Sequence, residues 1–352
     1  KLSTEQIVKL NAKIKIDKII AVDDQGLLLA SAASQKLDLQ SNSYFSMNLT
    51  RNKYLLYKQL QKNQQTIYDF VLHSKKKKLN SLKIKFPVVI KPLSLSASRG
   101  VMRANNKEEL AEKIHLLFDL LENELANECI SEFEKEHILI QKYIPGKEYA
   151  VEGIIEKGRF KLIAIFEKPI PLTGPYFEET IYISDPNFDE EIRRNFQGIS
   201  QEHIKNIGIT EGAVHLEYRL NKKGMHLIDI AGRSIGGHCS QVLQFKNGAL
   251  LEEIILNNAI GKKNVAQIKN ISGVMMIPTI KEGKISHIAG LESAKKIKFI
   301  TNIVITAYKG QEIKKLPRAN TYLGFIFAEG PNKHAVKKAL EQSYQSIQID
   351  LF

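Results

Sequence analysis

Residues 214–232 read VHLEYRLNKKGMHLIDIAG. Two runs alternate apolar and polar side chains on either side of NKKG, the pattern of two strands joined by a turn. In the first run Val214, Leu216, Tyr218 and Leu220 share one face, leaving His215, Glu217 and Arg219 on the other. In the second, Ile228 and Ile230 are the apolar pair, with Leu227, Asp229 and Ala231 opposite. Register must match those faces, because a slip of one residue turns every side chain over. Pairing Leu216 with Ile230 and Tyr218 with Ile228 sets Glu217 directly across from Asp229, with Cβ atoms about 5 Å apart. Facing carboxylates repel, and a hard divalent cation turns that repulsion into a binding site, since magnesium takes one or two carboxylates plus substrate phosphates. The alternative is a hairpin in which one acid is exposed or pairs with Arg219.

The chain on either side extends the theme. AGRSIGGH follows Asp229 and sets Arg233 four residues beyond the acid, with Gly236 and Gly237 in a loop. A guanidinium there can stabilise charge developing on a transferred phosphoryl group or a tetrahedral adduct, and glycines let backbone N–H groups approach an anion. A tight turn is the plainer reading. Upstream, residues 86–100 read FPVVIKPLSLSASRG: a strand reaching Lys91 hands over to a loop of Ser94, Ser96, Ser98 and Gly100. Hydroxyl and backbone donors beside a lysine fit a triphosphate, and a flexible loop can close over it. No GxxxxGK[ST] phosphate loop occurs, and the serines alone also suit a solvent-exposed connector. Between these pieces, ILIQKYIPGKE (138–148) is a strand whose open edge offers C=O and N–H groups to an adenine. Glu148, seven residues after Gln141, has the paired acceptor oxygens that a ribose diol needs.

With 352 residues, 43% of them apolar, the chain can bury a core, and its length favours two or three domains. Its 51 basic and 38 acidic residues give a net charge of +13, which suits a polyanion, either nucleic acid or nucleotide phosphates. KKKKLNSLKIK (75–85) holds six lysines and no acid and reads as a solvated linker or face. Cys129 and Cys239 show neither disulfide nor thiolate-metal spacing, so a reducing cytosol is expected. No apolar run reaches the roughly 18 residues of a membrane span, and KLSTEQIVKL reads as an amphipathic helix, not a signal peptide. A soluble, cytoplasmic protein is the expectation.

The first 65 residues read as half of an α/β unit: helix over 4–14, a buried strand over 16–24 (IDKIIAVDD) and helix over 27–37. With no strand ahead of them, an upstream strand and helix are expected to be missing. Further on, the pattern gives a strand at 87–92, a long amphipathic helix at 107–125 and a strand at 138–144. Strands at 149–155 and 160–166 flank EKGR, and a helix covers 190–206. The hairpin follows, then short strands with Gly turns (KEGK, YKGQ) from 273 onward, and a closing helix at 332–346.

Taken in order, RNK (51–53), VIKP with its Ser/Gly loop, QKYIPGKE, GPYFEE (174–179), HLE (215–217) and DIAGR (229–233) with the following GG make the chain resemble an ATP-grasp protein from residue 51 to about residue 261. The tail, with GVMMIPTIKEGKI, GLESA and YLGFIFAEG, is similar to the C-terminal domain of the carboxylate-amine ligase branch, which includes bacterial L-amino acid ligases and carnosine synthases. The resemblance implies an ATP-grasp fold of mixed α/β and α+β character. Its parts are a partial N-terminal α/β domain (1–65), a small lid subdomain (66–148), a large subdomain with the metal site (149–265), and a β-rich C-terminal subdomain closed by a helix (266–352). It implies that Lys53 and Lys91 hold ATP phosphates, that Ser96, Ser98 and Gly100 belong to the closing loop, that Gln141, Lys142 and Ile144 form the adenine hinge, and that Glu148 binds ribose. Glu217 and Asp229 would ligate magnesium, in agreement with the register of the hairpin. Arg233 would be the catalytic contact to the acyl phosphate and its adduct, and Gly236 would help bind the carboxyl substrate. Glu178 or Glu179, with Tyr182, occupy the segment that contacts the substrate amine. The chain departs from the family pattern at four positions: Asp229 and Ala231 stand where Glu and Asn are usual, Gln141 stands where Glu is common, and the histidine often found near Tyr182 is missing.

The implied reaction is an ADP-forming C–N ligation. A carboxylate attacks the γ-phosphate of ATP to give an acyl phosphate, and an amine displaces phosphate to form an amide or peptide bond. Positioning and charge neutralisation carry such phosphoryl transfer, so no Ser/His/Asp or Cys/His set is required; Cys239 reads as a packing residue and His238 as a polar loop residue. The implied cofactors are ATP and Mg2+ and the implied partners small carboxylate and amine substrates, without membrane or nucleic acid, and a homodimer stays open. Two alternatives remain: another ATP-grasp reaction, such as carboxylation of a small metabolite, and a basic nucleic-acid-binding protein with a relict ATP site, which Ala231 favours.

Overall fold

The computed structural model describes residues 3–77, 84–126, 129, 131–263, 266–318 and 322–352. Four helices open the chain: α1 (Thr4–Asn11), α2 (Leu27–Lys36), α3 (Tyr44–Arg51) and α4 (Lys53–Lys62). A four-stranded antiparallel sheet follows, from β1 (Phe70–Ser74), β2 (Val88–Pro92), β3 (Met102–Ala104) and β4 (His137–Lys142), in the order β1-β4-β2-β3. Its cover is α5 (Lys107–Asn123), capped by the Asn106 side chain, which accepts from Glu109 N at 2.8 Å. Leu110, Ile114, Leu117 and Leu121 recur at helical spacing and are buried against Val88, Ile90, Ile138 and Ile140 of the sheet. The short α6 (Glu132–Glu136) leads into β4.

The second sheet starts with β5 (Lys147–Glu156), β6 (Arg159–Lys168) and β7 (Ile181–Ser184), then after α7 (Glu190–Ile207) takes β8 (Gly212–Asn221) and β9 (Gly224–Ala231). Beyond α8 (Leu251–Ala259) the chain runs through β10 (Ile271–Met276), β11 (Gly283–Ala289), α9 (Leu291–Lys295), β12 (Ile300–Ile305), β13 (Glu312–Ile313), β14 (Gly324–Gly330), α10 (Lys333–Gln345) and β15 (Gln348–Leu351). Eight strands join in the order β12-β14-β10-β7-β6-β5-β8-β9, so strands from beyond residue 266 share one sheet with the hairpin; β13-β11-β15 form a third, small sheet. The Asp189 carboxylate starts α7 by accepting from Glu191 N and Ile192 N, and Gly208, with φ +81°, ends it. Phe196, Ile204 and Ile207 of α7 pack with Tyr57 and Leu60 of α4 over Val214, Leu216 and Tyr218 of β8. Each such side chain stabilises the fold by about 1.5–3 kcal/mol, which fixes β8 and β9 firmly under the site.

The strand expected at 16–24 does not form. That stretch has no regular structure, among the described residues no strand pairs with it, and Val22 is 82% exposed. A β ladder needs a neighbour to exchange hydrogen bonds with, and apolar composition cannot supply one. The regular elements of the described N-terminal residues are therefore all helices, α3 and α4 included, neither of which the sequence pattern announced. Residues 78–83 of the lysine-rich run lie outside the described residues. No described helix is long and apolar enough to cross a membrane.

Candidate active site

A cavity of about 590 Å³ lies between the four-stranded sheet and the large sheet, where residues of β5, β7, β8, β9 and β10 border it. Lys53, Lys91, Ser96, Ser98, Gln141, Lys142, Ile144, Glu148, Glu179, Tyr182, Glu217, Asp229, Arg233 and Gly236 all border it. Gly100 and Glu178 do not. Gly100 has φ +70°, and a Cβ there would sit 2.8 Å from Leu117 Cδ1, so it serves the turn that brings the serine loop back against α5. Glu178 accepts from Thr279 N at 3.3 Å, and burial raises its carboxyl above the ordinary range.

The hairpin pairs as expected at Leu216–Ile230 and Glu217–Asp229, then slips: Tyr218 opposes Leu227, not Ile228. Leu227, 3% exposed, takes the buried place that the pattern gave to Ile228. The bulge leaves Ile228 unpaired at the cavity, where its carbonyl accepts from Lys91 Nζ at 3.4 Å and from the Tyr57 hydroxyl at 3.3 Å. An extra residue of this kind is a common way to re-aim groups beside a site.

The two facing acids each hold a different lysine. Asn52 caps α4 by accepting from Leu55 N, which places Lys53 in the first turn; its Nζ lies 3.0 Å from Asp229 Oδ2 and donates to Leu95 O at 3.0 Å. Lys91, buried in β2, sits above the Tyr57 ring at 5.8 Å, and burial lowers it to about 8. Glu217 accepts from Lys168 Nζ at 2.8 Å and lies 3.5 Å from His215 Nε2. Burial opposes its ionisation, yet Lys168 and His215 hold it well below the usual carboxylate range. Burial likewise disfavours charge on His215, but Glu152 and Glu217 raise it to about 9.

Two residues of the site escaped the sequence reading. Lys168, at the end of β6, also bonds Glu148 at 2.7 Å and Glu179 at 2.9 Å. Glu148 stands beside Lys168 on one side and Arg219 on the other because β5 lies between β6 and β8. Arg219 Nε donates to Glu148 Oε2 at 2.9 Å and Nη1 to Ile144 O at 2.7 Å, tying Glu148 to the segment that follows β4. Glu152, also buried, bonds His215 Nδ1 through one oxygen and accepts from Ile235 N at 2.9 Å through the other, which fixes the loop after Arg233. The only sequence signal for either was a charge inside an apolar strand.

Arg233 donates from Nη2 to Asp24 Oδ2 at 2.6 Å and from Nη1 to Ser234 O at 2.8 Å. In the serine loop, Ala97 and Ser98 take the left-handed backbone, φ +56° and +54°, and Ser98 Oγ reaches Glu179 Oε1 at 3.5 Å. Ser94 differs from the expectation: its hydroxyl is committed to Glu134 Oε2 at 2.7 Å, inside the fold. Lys142 Nζ donates to Phe86 O at 2.6 Å. The buried amide nitrogen of Gln141 has no hydrogen-bond partner among the described residues. Cys239 is buried, and burial pushes its thiol well up, as suits a packing residue.

The donor set fits a hard divalent cation. Carboxylates of Glu217 and Asp229 face each other across the ladder, and oxygens of Glu148, Glu179 and Glu217 lie within 4.8 Å of one another. An anionic polyphosphate fits the opposite wall, where Lys53 and Lys91 converge.

Residues 84–242 match the ATP-grasp domain family, and residues 275–351 match the L-amino acid ligase C-terminal domain 2 family. The chain thus carries an ATP-grasp domain. Beyond that domain it matches the C-terminal domain of the L-amino acid ligases. It is 25% identical over 230 residues to dapdiamide A synthase of Enterobacter agglomerans, covering 63% of this chain and 51% of that protein. It is 23% identical over 281 residues to an uncharacterized protein, y4rH, of Sinorhizobium fredii, covering 75% of this chain and 53% of that one. The chain thus spans about half the length of the curated relatives it matches. Its fold is similar to the crystal structure of an L-amino acid ligase from Bacillus licheniformis, with a TM-score of 0.86, 23% identity, and 99% of this chain and 85% of that chain covered.

Proposed function

We propose that this protein is an ATP-dependent, ADP-forming carboxylate-amine ligase that joins a small carboxylic or amino acid to an amine. The observation that carries the reading is the cross-strand pair Glu217–Asp229, facing a cavity whose other wall presents Lys53 and Lys91. In this reading 66–148 is the lid, 149–265 the large subdomain, 266–352 the C-terminal subdomain and 1–65 the remaining N-terminal part.

Lys53 and Lys91 bind the phosphates, and the loop of Ser96, Ser98 and Gly100 closes over them and excludes water. Gln141, Lys142 and Ile144 hold the adenine edge and Glu148 the ribose. Glu217 and Asp229 would hold Mg2+, which when bound supplies charge neutralisation on the phosphates. Arg233 orients the carboxylate beside the γ-phosphate and stabilises the charge of the acyl phosphate and of the adduct formed by the amine. Gly236 leaves room for the carboxyl group, because no atom lies within 4 Å of a Cβ built there. Glu179 and Tyr182, joined at 2.7 Å, receive the amine. The unbridged cysteines fit a cytosolic protein.

The test is incubation with MgATP, a panel of amino acids and an amine. ADP and phosphate released only when both a carboxylate and an amine are present is the expected result. A protein that binds ATP but releases no ADP with any pair contradicts the reading, and release that requires bicarbonate instead assigns a carboxylation.

A further inference from the structure

Lys168 carries three ion pairs at once: Glu148 at 2.7 Å, Glu217 at 2.8 Å and Glu179 at 2.9 Å. An ammonium has three N–H donors and no acceptor, so this set fills it. The three acids come from different places in the fold: the start of β5, the middle of β8, and the loop before β7. Their ligating oxygens lie within 4.8 Å of one another. Carboxylates that close, with little water between them, repel strongly. The Lys168 side chain, 3% exposed, is the cation through which all three are held together.

The same closeness is what a divalent cation with oxygen ligands demands. Ammonium and metal ion therefore compete for one set of acids, and Glu217 is the contested member because it alone of the three also faces Asp229. We infer that Lys168 is a positioning residue that fills the acid cluster in the nucleotide-free protein and keeps divalent cations out until nucleotide phosphates can share the ion. The inference rests on the ligase reading for the role of Glu217. When Glu217 turns to the ion, Lys168 keeps Glu148 and Glu179 and shares its charge between those two.

The experiment is a Mn2+ titration of the full chain, followed by the electron paramagnetic resonance signal of free Mn2+, without nucleotide. Removing the ammonium leaves uncompensated acids, so Lys168→Met should bind Mn2+ about tenfold or more tighter than wild type. Lys168→Arg keeps the charge and should match wild type, which a general packing defect would not produce. Equal Mn2+ affinities in wild type and Lys168→Met overturn the inference. Should Lys168→Met fail to fold, thermal unfolding of wild type with Mn2+ alone decides: no stabilisation supports the guard, and stabilisation overturns it. ADP titration by calorimetry reports separately on the ligase reading. A wild type that binds no ADP, with a Lys168→Met variant that gains Mn2+, loses that reading and the release by nucleotide, and keeps the exclusion of metal by Lys168.

Discussion

The two walls of the cleft hold charge in different ways. The small-sheet wall and the helix beside it present cations that each rest on a backbone carbonyl: Lys53 reaches Leu95 O as well as Asp229, and among the described residues Lys91 reaches the Ile228 carbonyl at 3.4 Å and a tyrosine ring. The large-sheet wall presents acids whose partners are side-chain cations, with Lys168, Arg219 and His215 binding Glu148, Glu179 and Glu217. A lysine resting on carbonyls keeps donors to offer a phosphate. An acid gripped by an ammonium has to exchange one cation for another before it can ligate a metal. The first wall is thus poised for its ligand, and the second is closed by its own counter-charge.

Removing the charge at the far end of the acidic wall should have the largest effect. Arg233→Ala is expected to lower ADP release by about 10²–10³-fold, the scale of losing one donor to developing charge, while ADP affinity by calorimetry stays near wild type. Nucleotide affinity that collapsed along with turnover would assign Arg233 to the cationic wall instead. Next, Glu152→Gln loosens the support of His215 and of the loop at Ile235. An outer-shell change of this sort is expected to reduce turnover about 10–100-fold with the far-ultraviolet circular dichroism unchanged.

The cationic wall should show itself in pH dependence. Lys91, lowered by burial to about 8, is charged below that pH and neutral above it. ADP affinity is therefore expected to fall as pH rises through about 8, by up to about tenfold per pH unit, and Lys91→Met should lack that limb. An identical limb in Lys91→Met contradicts the assignment.

The smallest expected effect lies under the acidic wall. Burial lowers His203 to about 4, and its ring meets the Tyr218 hydroxyl at 3.0 Å. Its folded value lies below the ordinary 6.5, so between the two the unfolded chain binds a proton that the native protein refuses. Stability should fall as pH drops from about 6.5 to about 4, by at most about 1.4 kcal/mol per unit from this group. His203→Phe is expected to flatten that part of the curve in thermal unfolding.

The walls also differ in how far the sequence disclosed them. Lys91 and the serine loop lie in one continuous stretch, and a strand followed by a donor-rich loop is legible without any knowledge of neighbours, whereas Lys53 came only with the family resemblance. Glu217 and Asp229 were legible because matching the apolar faces pairs Leu216 with Ile230, and that register holds on the far side of the bulge from the turn. The bulge at Ile228 was not, because Leu227 and Ile228 are equally apolar and only the space beside Tyr218 chooses between them. Lys168 and Glu152 were hidden for a stronger reason. Their partners come from β5, β8 and the loop before β7, and nothing in a single strand reveals that β5 lies between β6 and β8. The unformed strand at 16–24 is the converse case, a sequence with strand composition but no partner.

The central claim is that Glu217 and Asp229 jointly hold a divalent cation against nucleotide phosphates bound by Lys53 and Lys91. A crystal grown with ADP and Mn2+ tests it most directly through the anomalous signal of the metal. The account predicts one manganese peak within about 2.3 Å of a carboxylate oxygen from each acid, with the phosphates on the lysine side. A peak that touches neither acid, or a nucleotide bound outside this cleft, would contradict it.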